Sequence, residues 1–345
     1  MRRTLAISSL LGGSILTVAL LFSPAAQAQS WQATVGAQSK NMGHQALAFL
    51  PNEIWIHAGD SITWKFATDE IHTVTFLSTL PSQQIRPRFQ VGCPPGPPPG
   101  TTPDGSSFDG DECVNSGASV SGQTYTVTFP TPGNYKLACL VHANMTAVVH
   151  VLPLSEPLPH DQDFYDEQAA KERHDLLSDT DKGTDHDGDH ERSDDSARAL
   201  SSSNAVTAGT GEIVATGGGS QSLSIMRFLH RTTVVHVGET VEWTNLDPVT
   251  PHTITFGIEP ANPGPPFPLT LPLDADGARH AVINSTTDSV HSGLIVAAPQ
   301  ERNGLAQSPL GVTRFRITFK NAGTFPYICA LHDNLGMKGE VIVLP

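Results

Sequence analysis

The fold is decided by two stretches that share one pattern, PNEIWIHAGDSITW at residues 51–64 and HRTTVVHVGETVEW at residues 230–243. Each stretch predicts a β-strand, a turn built from glycine and an acidic residue, and a second strand that ends in tryptophan. Because the pattern occurs once in each half of the chain, the sequence contains an internal repeat. It therefore predicts two units of the same fold.

The repeat continues beyond these stretches. A His-Thr-x-Thr-Phe strand follows in each copy, at 72–76 and 252–256, and each copy ends on a Cys-x-x-His segment and a Val-rich strand that closes in Leu-Pro. Apolar and polar residues alternate in the strands between, as in Tyr125, Val127 and Phe129 with threonines among them. Short alternating strands separated by turn residues predict an all-β protein with two Greek-key β-sandwiches.

Length and charge narrow the class of protein. The chain has 345 residues, which exceeds one compact domain and suits two. Its net charge of −14 argues against a nucleic-acid partner, because phosphate binding requires clusters of Lys and Arg. The 30 glycines and 27 prolines, with 16% charged residues, are typical of a protein built from strands and loops.

An acidic segment separates the two copies. Residues 156–198 carry 15 Asp and Glu against 5 Lys and Arg, and their few apolar residues cannot form a core. We therefore expect a largely disordered acidic linker at 154–203, with a short helix around Tyr165 to Leu177. The sandwiches then occupy residues 29–153 and 204–345, and a flexible linker lets them move independently.

The N-terminus predicts export. Arg2 and Arg3 precede an apolar run from Leu5 to Phe22, and Ala26-Gln27-Ala28 forms a small-x-small cleavage site. Residues 1–28 are thus interpreted as a signal peptide of a periplasmic or secreted protein. The alternative is an uncleaved anchor, because the run is nearly long enough to span a bilayer. No other segment is apolar enough for that, so no membrane span is expected after signal removal.

Each copy carries one Cys, two His and one Met in a matching arrangement. On the final strand before each Cys-x-x-His segment, Tyr135 and Leu137 share their face with Cys139, which predicts an inward-pointing thiol. The upstream histidines share a face with inward apolar residues in the same way. One thiolate, two imidazoles and one thioether form the ligand set of a type 1 copper site. The eight candidate ligands are His72, Cys139, His142 and Met145 in the first copy, and His252, Cys329, His332 and Met337 in the second.

These residues resemble those of the cupredoxins plastocyanin, amicyanin and pseudoazurin. The Cys-x2-His-x2-Met of the first copy is similar to amicyanin, and the Cys-x2-His-x4-Met of the second is similar to plastocyanin and pseudoazurin. The resemblance implies a tandem cupredoxin with two blue copper ions, carrying single electrons between redox partner proteins. Two departures stand out: Val141 and Leu331 replace the usual proline before the loop histidine, and threonine replaces the asparagine after the upstream histidine. The hydroxyls of Thr73 and Thr253 can supply the hydrogen bond of that asparagine.

Other functions remain as alternatives. Zinc is disfavoured because structural zinc sites use several cysteines rather than methionine. A multicopper oxidase requires repeated His-x-His pairs, and a copper nitrite reductase requires histidine directly before the copper cysteine, where Ala138 and Ile328 stand. We therefore expect no enzyme. Copper storage or delivery is the second function considered, because the acidic linker contains a His-rich patch at 185–191. The oligomeric state is left open.

Two further expectations concern the surroundings of the sites. In an oxidising compartment, Cys93 and Cys113 should form a disulfide in their Pro-rich loop, although a third metal site there is an alternative. The loop-entropy model gives such a bond about 3 kcal/mol of stabilisation. For an electron carrier, we expect His142 and His332 each to present a ring edge to solvent through an apolar rim that includes Val141 and Leu331.

Overall fold

A computed structural model describes residues 28–77, 101–142, 144–181, 204–261, 271–297 and 312–345. The first sandwich contains β1 (Ser30–Gln38), β2 (His44–Leu50), β3 (Glu53–His57), β4 (Ser61–Phe66), β5 (Thr75–Phe76), β6 (Ser106–Ser107), β7 (Val114–Asn115), β8 (Thr124–Thr128), β9 (Gly133–Ala138) and β10 (Thr146–Leu152). One helix follows, α1 (Gln162–Asp181). The second sandwich contains β11 (Ala205–Ala215), β12 (Ser220–Leu229), β13 (Thr232–His236), β14 (Thr240–Leu246), β15 (Thr255–Phe256), β16 (Arg279–Ile283), β17 (Val290–His291), β18 (Arg314–Phe319), β19 (Gly323–Ile328) and β20 (Lys338–Leu344).

The two sandwiches have the same strand order. In the first, one sheet runs β2-β1-β4-β8-β6 and the other β3-β10-β9-β5-β7. In the second, the corresponding sheets run β12-β11-β14-β18-β16 and β13-β20-β19-β15-β17. The predicted all-β fold and its internal repeat are therefore confirmed.

Each sandwich closes around its own apolar core. Trp64 and Trp243, the tryptophans that end the repeated stretches, are 2% and 0% exposed. The alternating residues Tyr125, Val127 and Phe129 face the first core. Because burial of apolar side chains supplies the main stabilisation, the alternation fixes which face of each strand points inward.

The two sandwiches are joined by strand pairing. β2 pairs antiparallel with β12, with Leu47 opposite Ser222 and His44 opposite Ile225. The first sheets of both sandwiches thereby form one continuous sheet in the order β16-β18-β14-β11-β12-β2-β1-β4-β8-β6. The prediction that the sandwiches move independently is wrong, because backbone hydrogen bonds between the two edge strands hold them together.

The predicted helix is present and longer than expected. The Tyr165 side chain of α1 is fully buried, and its hydroxyl accepts a hydrogen bond from the Trp55 amide (2.9 Å) and donates to the Trp55 carbonyl (3.2 Å). Leu176 and Leu177 pack in a cluster with alanines and Leu50 of the first sandwich. The start of the linker is therefore an ordered extension of that sandwich. Residues 182–203, including the His-rich patch, lie outside the described residues.

Candidate metal centres

Strand pairing brings the upstream histidine of each copy beside the cysteine. His72 lies three residues before Thr75 of β5, and Thr75 is opposite Ala138, the last residue of β9. Cys139 follows directly. In the second sandwich, Thr255 of β15 is opposite Ile328 of β19, so His252 approaches Cys329 in the same way. The short β5 and β15 strands thus position one ligand each.

In the first centre, defined by His72, Cys139 and His142, three donor atoms converge. Nδ1 of His142 lies 3.1 Å from Nδ1 of His72 and 3.8 Å from Sγ of Cys139, and Sγ lies 3.9 Å from Nδ1 of His72. All three residues are essentially buried. The sequence-predicted residues therefore meet at one end of the sandwich.

The second centre, defined by His252, Cys329 and His332, repeats this geometry. The two Nδ1 atoms are 3.1 Å apart, and Sγ of Cys329 lies 3.9 Å from His252 and 3.4 Å from His332. These residues are 0%, 0% and 3% exposed. Two separate stretches of chain thus build the same three-donor group.

A metal ion fits both triangles. A point equidistant from the three donors lies about 2.1 Å from each in the first centre and about 2.0 Å in the second, close to imidazole–metal bonds of about 2.0–2.1 Å. One thiolate and two imidazoles around a trigonal centre suit copper. The two groups therefore fit two type 1 copper ions, one in each sandwich.

The two methionines lie directly beside the cysteines. Met145 and Met337 are fully buried, and their carbonyls accept hydrogen bonds from the amides of Cys139 (3.0 Å) and Cys329 (3.1 Å). Each methionine thus belongs to the same core cluster as its cysteine. Their role as weak axial ligands stays a prediction.

The side chains around each thiol favour its anionic form. Burial raises the pKa of Cys139, but hydrogen bonds and charge from His142 and His72 outweigh it and hold that pKa well below its usual range. The pKa of Cys329 lies well below its usual range for the same reasons, with charge from His332 the largest lowering effect. Because the thiolate is the form that binds metal, both cysteines are prepared for it before the metal arrives.

The threonines after the upstream histidines tie the two ligand-bearing segments together. The Thr73 amide donates to Sγ of Cys139 (3.4 Å), and its hydroxyl accepts from the Leu140 amide (2.9 Å). Thr253 does the same, with its amide 3.3 Å from Sγ of Cys329 and its hydroxyl 2.7 Å from the Ala330 amide. These bonds restrain each cysteine through groups that are not themselves candidate ligands, as the substitution of threonine for asparagine suggested.

Two glycines that the sequence analysis did not single out press against the upstream histidines. Gly36 and Gly209 have φ of +67° and +78° and lie where the register shifts in β1 and β11. A Cβ at Gly36 would approach Nε2 of His72 to 2.9 Å, and one at Gly209 would approach Nε2 of His252 to 2.1 Å. Sequence spacing does not reveal their match, because Gly36 precedes Trp64 by 28 residues and Gly209 precedes Trp243 by 34.

The loop histidines differ from expectation. His142 and His332 are 1% and 3% exposed, so the prediction that each presents a ring edge to solvent is wrong. Both rings lie where the two sandwiches meet, and their Nε2 atoms are directed at Glu70, which the sequence analysis missed. Among the residues that the structure describes, Val141 is the member of the expected rim that is exposed, at 47%.

Only one of the two cysteines of the predicted disulfide, Cys113, belongs to the residues that the structure describes. Cys93 lies outside the described residues, so its pairing with Cys113 stays a prediction. Cys139 and Cys329 are free of disulfide bonds, as metal ligands require.

Comparison with known proteins places these centres in a family context. A family model described as copper binding proteins, plastocyanin/azurin family, matches residues 36–152 and 213–344. Together the matched segments cover more than half of the chain and include both centres. No curated protein matches the chain.

Several solved structures are similar to parts of the chain. A mutant fern plastocyanin is 22% identical, covers 41% of this chain and 99% of its own, and has a TM-score of 0.22. Oxidised plastocyanin from Dryopteris crassirhizoma is 21% identical, with coverage of 41% and 99% and a TM-score of 0.21. Amicyanin from Paracoccus versutus is 19% identical, with coverage of 36% and 81% and a TM-score of 0.23.

Proposed function

Because this chain belongs to the plastocyanin/azurin family of copper-binding proteins, we propose that it carries single electrons between redox partner proteins, one at each of two copper centres. The observation that carries the proposal is the buried triangle of one thiolate and two imidazoles, present twice with nearly equal dimensions. Such a donor set is used for electron transfer when a weak thioether completes it.

The proposed ligands have separate roles. The thiolate and the two Nδ1 atoms would hold copper, and the methionine sulfur would be a weaker fourth ligand. Bound copper supplies the one-electron couple between Cu(II) and Cu(I). Strand pairing and the threonine hydrogen bonds keep the ligands in place in both states, which makes electron transfer fast. The proposed ligands are His72, Cys139, His142 and Met145, with His252, Cys329, His332 and Met337.

Burial of both centres argues against a substrate that binds at the metal. The three donors of each centre are at most 3% exposed, which leaves little room for a substrate at the metal. Ala138 and Ile328 precede the cysteines, where a relay to a second catalytic copper would need histidine. We therefore propose that the chain catalyses no oxidase or nitrite reductase reaction.

The proposal includes the organisation and location of the protein. The sandwiches are proposed to occupy residues 29–153 and 204–345, after a signal peptide at 1–28 that directs the protein to the periplasm or outside the cell. Within the described part of the chain, no helix combines the length and apolar character needed to cross a bilayer. A disulfide between Cys93 and Cys113 would be consistent with that location.

Electron exchange with a partner tests this function. The copper-loaded protein should oxidise or reduce a c-type cytochrome, and Val141→Lys should slow the exchange because it places a charge beside His142 on the exposed surface. The blue band and copper content should stay unchanged, since no ligand is altered. Val234→Lys is the matched control, because the Val234 side chain is exposed on β13 and lies outside both metal-binding loops.

A storage protein would give the opposite result. Rapid loss of copper to a mild chelator, together with negligible exchange with the cytochrome, would refute the carrier and favour storage or delivery.

A further inference from the structure

The loop histidines of the two centres face one carboxylate. Oε1 of Glu70 lies 3.2 Å from Nε2 of His142 in the same sandwich. Its other oxygen, Oε2, lies 3.6 Å from Nε2 of His332 in the second sandwich. The side chains of all three are 8% exposed or less. A single buried carboxylate therefore lies between the two metal centres.

The chemistry of the histidines fits this placement. In each centre Nδ1 faces the thiolate, so a neutral ring bound to metal through Nδ1 carries its proton on Nε2. A carboxylate is a common partner for that second nitrogen, because it orients the ring. The two oxygens of the Glu70 carboxylate thus face one Nε2 atom from each centre, Oε1 that of His142 and Oε2 that of His332.

Only the first copy has a carboxylate at this position, whereas the buried Asp247 of the second copy lies 3.8 Å from Nε2 of His252, the upstream histidine. Glu70 stands two residues before His72, and Thr250 takes the corresponding place before His252. The Thr250 hydroxyl is bonded to Ser224 Oγ (3.1 Å) rather than to a ligand histidine. The repeat is thus asymmetric at this position, as a carboxylate shared by two centres requires.

The interface holds both metal-binding loops in place around Glu70. The Arg227 guanidinium donates to the carbonyls of Leu335 in the second loop (2.8 Å) and of Asn41 in the first sandwich (2.6 Å). From the other side, Ser220 Oγ donates to the carbonyl of Asn144 in the first loop (2.6 Å). With the β2–β12 pairing, these bonds fix the separation of the two histidines.

We propose that Glu70 couples the two centres, so that an electron passes between them inside one chain along His142, Glu70 and His332. The proposal rests on the electron-carrier function above and adds to it a direct connection between the sites. In such a step, the centre that gives up the electron would be oxidised by one unit and the centre that receives it would be reduced by one unit. No bond is made or broken, Glu70 keeps its charge, and no outside reductant is consumed.

Removal of the carboxylate tests the coupling. In half-reduced protein, exchange broadening of NMR signals near the centres should be independent of protein concentration, because the electron moves within one chain. Glu70→Ala should slow this exchange about 10–100-fold, the range found when partners of metal ligands are removed. Glu70→Gln keeps the size of the side chain and one acceptor oxygen. This variant should therefore fold, and it should slow the electron exchange less than Glu70→Ala does.

A matched control is available at the surface. Glu53 pairs with Nε2 of His150 at 2.9 Å, which is also a carboxylate–histidine contact but involves no proposed ligand. Glu53→Gln should leave the exchange rate unchanged.

A second readout does not depend on electron exchange. In the fully reduced protein, the Nε2 protons of His142 and His332 should be protected from exchange with water, and Glu70→Ala should expose both. If wild type has two blue centres but Glu70→Ala and Glu70→Gln change neither the exchange rate nor the proton protection, the coupling is refuted and the carrier function stands. A wild-type protein without a blue centre would overturn the carrier function and the coupling with it.

Discussion

Replacing Gly209 with alanine should damage the second centre through a direct collision with its upstream histidine. The new Cβ would lie 2.1 Å from Nε2 of His252, whereas ordinary contacts are 3.4–4 Å. The ring must therefore move by about 1 Å or more. Metal–ligand distances tolerate about 0.2 Å, so Nδ1 of His252 leaves bonding range.

The expected cost has two parts. A left-handed backbone, with φ of +78° at Gly209, costs an alanine about 1–2 kcal/mol. Crowding of the buried ring adds about 1–3 kcal/mol. The matched control is Gly238→Ala, which has φ of +90° but no atom within 4 Å of its new Cβ. Gly238→Ala has the same backbone cost and restricts the unfolded chain to the same extent. The difference in unfolding free energy between the two variants therefore measures the collision with His252.

The assay combines denaturation with copper titration. Urea unfolding of the metal-free protein should show a larger loss of free energy for Gly209→Ala than for Gly238→Ala. In a Cys139→Ser background, where only the second centre supplies the blue band, Gly209→Ala should weaken copper binding about 10–100-fold. Equal stability of the two variants and an unchanged blue band would refute the reasoning.

Three further outcomes follow from other parts of the molecule. Tyr165→Phe should lower the free energy of unfolding by about 1–3 kcal/mol, because the buried hydroxyl bonds both backbone groups of Trp55; an unchanged denaturation midpoint would contradict the docking of α1. Arg316 holds the pKa of Asp276 down to about 2 from 3.8, so its stabilisation is present above pH 3.8 and is lost as pH falls toward 2. The difference in melting temperature between wild type and Arg316→Gln should accordingly shrink over that range, and a constant difference would be evidence against the ion pair. Thiol labelling of the denatured metal-free protein should find two free cysteines, Cys139 and Cys329, whereas four would rule out the disulfide between Cys93 and Cys113.

The sequence predicted the fold and the metal-binding groups because both depend on local patterns. Alternation on the strand before Cys139 places the thiol inside the sandwich, and the repeat supplies an independent second example. The buried His72 and His252 follow from the same alternation. These features need no knowledge of how the two sandwiches meet.

The contacts between the sandwiches could not be predicted in the same way. Glu70 reads as one more acidic residue beside Asp69, and its partner His332 lies in the other half of the chain. Their meeting depends on the pairing of β2 with β12. The apolar run ALAFL at 46–50 predicts a strand covered on both faces, but it gives no sign of a partner strand at its edge. One face packs in the first core and the other under α1.

Each sandwich is proposed to hold one type 1 copper through its cysteine and two histidines. Copper analysis of the purified, loaded protein, combined with its visible spectrum, tests this most directly. We expect two copper ions per chain and an intense blue thiolate-to-copper band, of which Cys139→Ser removes about half and the double replacement with Cys329→Ser removes all. A copper-loaded protein that is colourless, or a band that survives loss of both cysteines, would contradict it.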